Sequence, residues 1–232
     1  PLVELWGFGR NKKPEGYVPS SEEIERTKSA VGYQKIVVDA LAGTLTKRHP
    51  DVVCDVGAIV PGYASDKVAE ALERLGYTNY MVEIGGEVRA RGRNLDGRIW
   101  RIGIEKPDEL GRVVQKVVPL ENAALSTSGD YRNYFEKDGK RYCHEIDPRT
   151  GKPIEHNLAS VSVITSDCAS ADAYATALMV VGHIEGKAFA DTHDLAAYFL
   201  VRQTDGHFEE VESAAFTSYM EKVTPQIDPG ER

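Results

Sequence analysis

Asp172 and Thr176 lie four residues apart in the run DCASADAYATALMVVG, whose apolar spacing predicts a helix over 167–181. At that separation both side chains leave one side of a helix, a turn apart. A carboxylate beside a hydroxyl offers two hard oxygen donors, the kind Mg2+ accepts while keeping places for water or phosphate. The same pair also fits a carboxylate on the helix surface with the threonine packed inside, and spacing alone does not choose. His144 stands just before an Asp-Pro-Arg-Thr-Gly turn. Its imidazole titrates near neutrality and can take a proton from a hydroxyl nucleophile. It also fits a hydrogen-bonded structural role beside the turn. Asp55 and Asp147 each border a turn, where aspartate commonly bonds nearby backbone. The other five histidines read as surface or packing residues.

These groups need elements to hold them. Residues 1 to 20 read as an extended loop anchored by Trp6 and Phe8, followed by a helix over 21–31 capped at Ser20 or Ser21 and stopped at Gly32. QKIVVDA and GTLTKRH read as strands around the Ala42-Gly43 turn, and DVVCD as another. In DVGAIVPGYASDKVAEALERLGY, Pro61 suits a first helical turn, Val68, Ala71, Leu72 and Leu75 recur at helical spacing, and Gly76 fits the stop. A glycine-containing loop thus feeds a helix N-terminus, a geometry that suits an anion but is common without one. NYMVEIGGEVRARG reads as two short strands about Gly85-Gly86, either a hairpin turn or a place where a ligand approaches. RIWRIGIEKP and RVVQKVVPL continue the strand character, and two more strands flank Lys137-Asp138-Gly139. SVSVITS alternates as a strand. After the helix over 167–181 come a short helix, the strand LAAYFLVR and a polar, loose C-terminus. The order predicts an α+β fold with a largely antiparallel sheet, not regular βαβ alternation.

Composition narrows the function classes. A formal charge of -8 over 232 residues argues against general nucleic-acid binding, which needs clustered cations. The one dense basic run, RARGR at 89–93, reads as an exposed strand end. Cys54, Cys143 and Cys168 follow no zinc spacing and are expected to be buried and reduced. No run approaches the roughly 18 to 20 apolar residues of a membrane span. The opening PLVELWGFG carries no signal-peptide pattern and reads as the middle of a fold.

Four stretches in order resemble the family of ApbE-type FAD:protein FMN transferases: DVGAIVPGYASDKVAEAL, YMVEIGGEVRARG, STSGDYRNYFEKDGKRYCHEIDPRTGKPI and SVSVITSDCASADAYATALMVVG. The similarity runs from residue 1 to about residue 203. It implies a T-fold-related α+β domain over residues 1–232 that lacks the family's N-terminal strands. It further implies an enzyme that splits the pyrophosphate of FAD and joins FMN to a Ser or Thr hydroxyl of a target flavoprotein, releasing AMP. Carried over by position, Asp55 contacts FAD, Ile146 lines its site, and the Ala58 carbonyl with Asp172 and Thr176 holds Mg2+. His144 is the base. Pro61 stands where members often carry Lys or Glu, so a backbone contact replaces a side-chain one. Gly85, Gly86 and the Ser128-Gly129 turn shape the pocket. The implied acceptors are redox subunits of the quinone-reductase and Rnf type, outside the cytoplasm, with membrane association through an anchor. Hydrolysis of FAD to FMN and AMP, or flavin binding without catalysis, are the competing expectations.

Overall fold

The computed structural model describes residues 1–14, 16–107, 113–131 and 133–223. In chain order the first elements are α1 (Leu2–Leu5), α2 (Ser21–Lys28), β1 (Ile36–Asp39), β2 (Thr44–Lys47), α3 (Val60–Arg74), β3 (Tyr80–Ile84), β4 (Glu87–Arg91), β5 (Trp100–Glu105), β6 (Val114–Leu120) and β7 (Ala123–Gly129). They are followed by β8 (Tyr134–Lys137), β9 (Lys140–Cys143), β10 (Ile146–Asp147), β11 (Lys152–Pro153), β12 (Leu158–Thr165), α4 (Cys168–Thr192), β13 (Ala196–Arg202), β14 (Phe208–Glu212) and α5 (Ala214–Val223). Every described strand pairing is antiparallel, so the fold is α+β of the expected kind. The chain divides into two compact units, Pro1–Asp55 with Arg132–Glu155, and Val56–Tyr131 with His156–Arg232.

The smaller unit is built on short local pieces. Ser20 caps α2 and Glu23 bonds back to the Ser20 backbone, a reciprocal pair that satisfies two end donors. β1 and β2 pair as a hairpin, as do β8 and β9. The turn between β8 and β9 places Asp138 at φ 51 and Gly139 at φ 73, the left-handed pair that a two-residue hairpin needs. Trp6, Tyr142, Phe135 and Phe8 stack in sequence with centroids 5.1 to 5.7 Å apart. Trp6 also donates from its indole N–H to the Gly151 carbonyl at 2.8 Å, tying the chain's start to the turn after β10.

The larger unit is a six-stranded sheet in the order β14-β13-β12-β7-β4-β3. One face is apolar: Val88, Ala90, Leu125, Ile164, Tyr198 and Leu200 pack with Phe216 of α5 and with Ile104, Val118 and Leu120 of the β5–β6 hairpin. The other face carries α3 and α4. β12 runs through the middle and is buried along nearly its whole length, so its alternation serves two cores rather than one core and solvent. α4 breaks at Gly182, whose φ of 82 and ψ of 170 are not helical. His156 lies against that glycine, and a Cβ there would meet its ring at 2.9 Å.

Several expectations fail for physical reasons. DVVCD forms no strand; residues 52–56 are irregular, with Cys54 exposed instead of buried. The opening carries the helical turn α1 and is not wholly extended. The C-terminal region contains β14 and α5, whose Phe216 is fully buried, while residues 224–232 lie outside the described ones, as does Arg112 at the head of RVVQKVVPL. β7 was not anticipated: ALSTSG looks polar because its hydroxyls bond partners, and its place between β12 and β4 buries them. α3 turns its small and polar residues inward. Gly62, Ser65, Asp66 and Ala69 are buried, while Val68 and Leu75 are exposed. Close approach to α4 selects small residues on the buried side, and that outweighs the apolar stripe.

Candidate functional site

Asp172 and Thr176 do lie one turn apart on α4, and the larger unit supplies the groups around them. The Asp172 carboxylate is buried, and its Oδ2 accepts the Gly62 backbone N–H at 3.0 Å. Gly62 sits in the first turn of α3, where a Cβ would stand 2.4 Å from the Cys168 carbonyl oxygen and 2.8 Å from the Asp172 Cβ. The glycine is therefore required for the two helices to meet here. Thr176 Oγ1 shares a hydrogen bond with Ser128 Oγ of β7 at 3.3 Å. Pro61 is in the first turn of α3 and packs by the β3–β4 turn, where a Cβ on Gly85 would be 3.3 Å from its ring. Ala58 lies half-buried in the turn at 57–59 that leads into α3.

The electrostatics of this region are negative. Burial pushes the Asp172 pKa up from its ordinary value, and the Gly62 N–H offsets part of that shift. Burial, then the carboxylates of Asp66, Glu87 and Asp172, push the Cys168 thiol up to about 12. A thiol at a helix N-terminus is ordinarily more acidic, not less, so burial, with the surrounding carboxylates adding to it, outweighs the helix dipole. Glu87 itself is 8% exposed, with Ser126 Oγ 3.5 Å from its carboxylate.

The donors available fit a hard divalent cation. A carboxylate whose burial disfavours its charge is stabilised by a cation, and one carboxylate with a hydroxyl and a carbonyl matches the few-ligand habit of Mg2+. Among the described residues no group of three or more His, Cys, Asp or Glu side chains is arranged to hold a metal. A site of this kind would not form one, because two of its three donors are neutral oxygens.

The remaining candidates belong to the smaller unit. His144 follows β9, and its backbone N–H donates to the Asn133 carbonyl at 3.0 Å. Its side chain is 36% exposed, with Nε2 3.5 Å from Glu145 Oε1, and the Phe8 ring meets it edge-on at 6.4 Å. The imidazole is thus held at the end of the aromatic stack yet accessible. Ile146 pairs with Pro153 in the β10–β11 ladder and is half-buried. Asp147 shapes the turn: its carboxylate accepts the Arg149 backbone N–H at 2.8 Å, and its carbonyl accepts Gly151 N–H at 2.7 Å. Burial raises the Asp147 pKa, but the bonds from Arg149 prevail and hold it below the usual value. Asp55 is exposed.

Sequence reasoning missed the groups that set the α4 end. Asp66 and Gly62 are more than a hundred residues from their partners. The RARGR run is only partly an exposed strand end: Arg89 is half-buried and bonds Asp66 at 3.1 Å and the Ser166 carbonyl.

The model of the ApbE family matches residues 1–199. A Haemophilus influenzae protein named FAD:protein FMN transferase is 45% identical over 224 residues, 95% of this chain and 64% of its own length. The protein of that name from Vibrio cholerae is 43% identical over 222 residues, 96% of this chain and 65% of its own. The chain therefore spans a little under two thirds of these relatives. Among solved structures, the Vibrio cholerae flavin transferase ApbE superposes with a TM-score of 0.83 at 41% identity, covering 94% of this chain and 68% of that one. A Thermotoga maritima ApbE protein gives 0.80 at 34% identity, over 94% and 69%.

Proposed function

This chain belongs to the ApbE family, and on that premise we propose that it transfers FMN from FAD to a Ser or Thr hydroxyl of a flavoprotein. The observation that carries this reading is the oxygen site on α4: a buried Asp172, aimed by the Gly62 N–H and stacked one turn from Thr176. The similarity to proteins named FAD:protein FMN transferase supports the substrate.

The acceptor oxygen attacks the phosphorus on the FMN side of the pyrophosphate. The bond to the AMP oxygen breaks, a phosphoester links FMN to the acceptor, and AMP departs. His144 receives the hydroxyl proton on its imidazole, which its 36% exposure allows. Asp172, Thr176 and the Ala58 carbonyl would hold Mg2+, and Ser128 shares a hydrogen bond with the Thr176 hydroxyl from the sheet. Bound there, Mg2+ supplies charge neutralisation and orientation of the pyrophosphate oxygens. Asp55, Ile146 and the Pro61 backbone are the proposed contacts to the flavin nucleotide, and Gly86, where a Cβ would meet nothing within 4 Å, leaves room beside the β3–β4 turn. From the family resemblance we propose that the reaction runs outside the cytoplasm, in the periplasm at an inner-membrane anchor, with quinone-reductase or Rnf-type redox subunits as acceptors.

The test is incubation with FAD, Mg2+ and such an acceptor, read by in-gel flavin fluorescence and intact mass. A Mg2+-dependent adduct of FMN mass is the expected result. Free FMN and AMP without an adduct would make water the acceptor, and FAD left intact would leave binding alone.

A further inference from the structure

The N-terminus of α4 is held by a residue of another helix. Asp167, the N-cap, accepts the Ser170 N–H at 2.8 Å. The two preceding N–H groups, of Cys168 and Ala169, both go to the carboxylate of Asp66 on α3, each at 2.9 Å. Asp66 is in turn clamped by Arg89 of β4 at 3.1 Å, and Arg89 reaches on to the Ser166 carbonyl. One carboxylate thus satisfies two of the donors that every helix start leaves open, and it ties α3, α4 and β4 to a common point.

That point bears on the metal oxygens through helical geometry. Cys168, Asp172 and Thr176 stand at i, i+4 and i+8, stacked on one side of α4. A shift at Cys168 therefore displaces Asp172 and Thr176 together. Only two turns separate the Asp66 anchor from Thr176. The Gly62 N–H, one turn before Asp66 on α3, is the second fixed contact and sets which Asp172 oxygen faces the protein.

We infer that Asp66 is a positioning residue: resting on the Mg2+ reading above, it sets the register of α4 so that Asp172 and Thr176 present their oxygens to one ion. It does not touch the ion or the substrate. Its carboxylate is needed because it accepts from two backbone N–H groups and one guanidinium at once. An asparagine in its place turns an NH2 group toward one of those donors.

The test is Mn2+ affinity of the chain without FAD, read by electron paramagnetic resonance, for the unaltered protein, Asp66→Asn and Asp66→Glu, with thermal melting of each. Groups that orient a metal ligand without touching the metal typically change affinity by 10- to 100-fold, so Asp66→Asn is expected to weaken Mn2+ binding by about tenfold or more. Transfer should fall at low Mg2+ and recover toward the unaltered rate at high Mg2+, which a loss of fold would not allow. The Glu variant keeps the charge but moves it by a methylene, and should fall between the two. Unchanged Mn2+ affinity in Asp66→Asn, with only a lower melting temperature, would overturn the inference and leave Asp66 a plain helix cap. If Asp66→Asn does not fold, unchanged affinity in Asp66→Glu overturns it equally. No Mn2+ binding by the unaltered chain would instead overturn the metal reading itself, and this inference with it.

Discussion

The two faces of the six-stranded sheet use burial for opposite ends. On the face toward α5, Tyr198 and Phe216 stack at 5.3 Å among aliphatic neighbours, and Thr127 and Ser162 satisfy each other at 2.7 Å. The charges that border it are paired: Lys116 lies over the Tyr198 ring at 4.8 Å and meets Glu210 at 3.1 Å and Glu212 at 2.8 Å. On the face toward α3 and α4, the lining changes along the sheet. Phe199 of β13 packs under the second half of α4 at Gly186. Toward β7 and β4 it gives way to Ser128, Ser126, Glu87 and Arg89. The lesson is that the same strands can hold a core and a charged seam back to back. Alternation puts their residues on separate faces, so the apolar face stabilises a structure in which the other face keeps carboxylates out of water.

This contrast makes the faces separable by mutation. The largest effect on activity is expected for Asp172→Ala: on the proposed metal site, its loss forfeits several kcal/mol of transition-state charge stabilisation, about a thousandfold or more in transfer rate. The melting temperature should hold or rise, because a carboxylate whose burial disfavours its charge is removed. Adduct formation and thermal melting on one preparation check both halves, and retained transfer would remove Asp172 from the metal site. On the opposite face, Phe216→Ala should cost about 3–5 kcal/mol of stability, seen in urea unfolding, with Mn2+ affinity unchanged well below the transition. A large drop in affinity would mean that the two faces are coupled. A smaller loss of stability than at Phe216 is expected for Gly62→Ala, about 1–3 kcal/mol of overpacking, since its new Cβ meets the Cys168 carbonyl at 2.4 Å. Unlike Phe216→Ala it should weaken Mn2+ binding too. A Gly62→Ala protein that binds Mn2+ normally would show that helix contact and ligand geometry are independent here.

Much of this was legible along the chain. The Ser20 cap, the Gly85-Gly86 and Asp138-Gly139 hairpins, the Pro61 helix start and the alternation of β12 are local signals, each decided within a few residues. The Asp172–Thr176 pair was legible for the same reason, as helical spacing is a local property. α3 shows where such reading stops. Its apolar stripe suggested Val68 and Leu75 as the buried side, but contact with α4 buried Gly62, Ser65 and Asp66 instead. β7 was missed because hydroxyl residues look like loop until their partners, Ser162 and Thr176, are known.

By itself the sequence determined most of the element types, the antiparallel α+β class, the family to which the chain belongs, and the one-turn spacing of Asp172 and Thr176 on α4. Only the tertiary structure decided which N–H aims Asp172, that Asp66 anchors the helix bearing it, and that Glu87 adds to the charge around Cys168. The reason is physical. Propensity, capping and periodicity act between residues a few positions apart, whereas Gly62 meets Asp172 across 110 positions and Asp66 meets Cys168 across 102. Contacts of that range exist only once the sheet has brought α3 and α4 side by side.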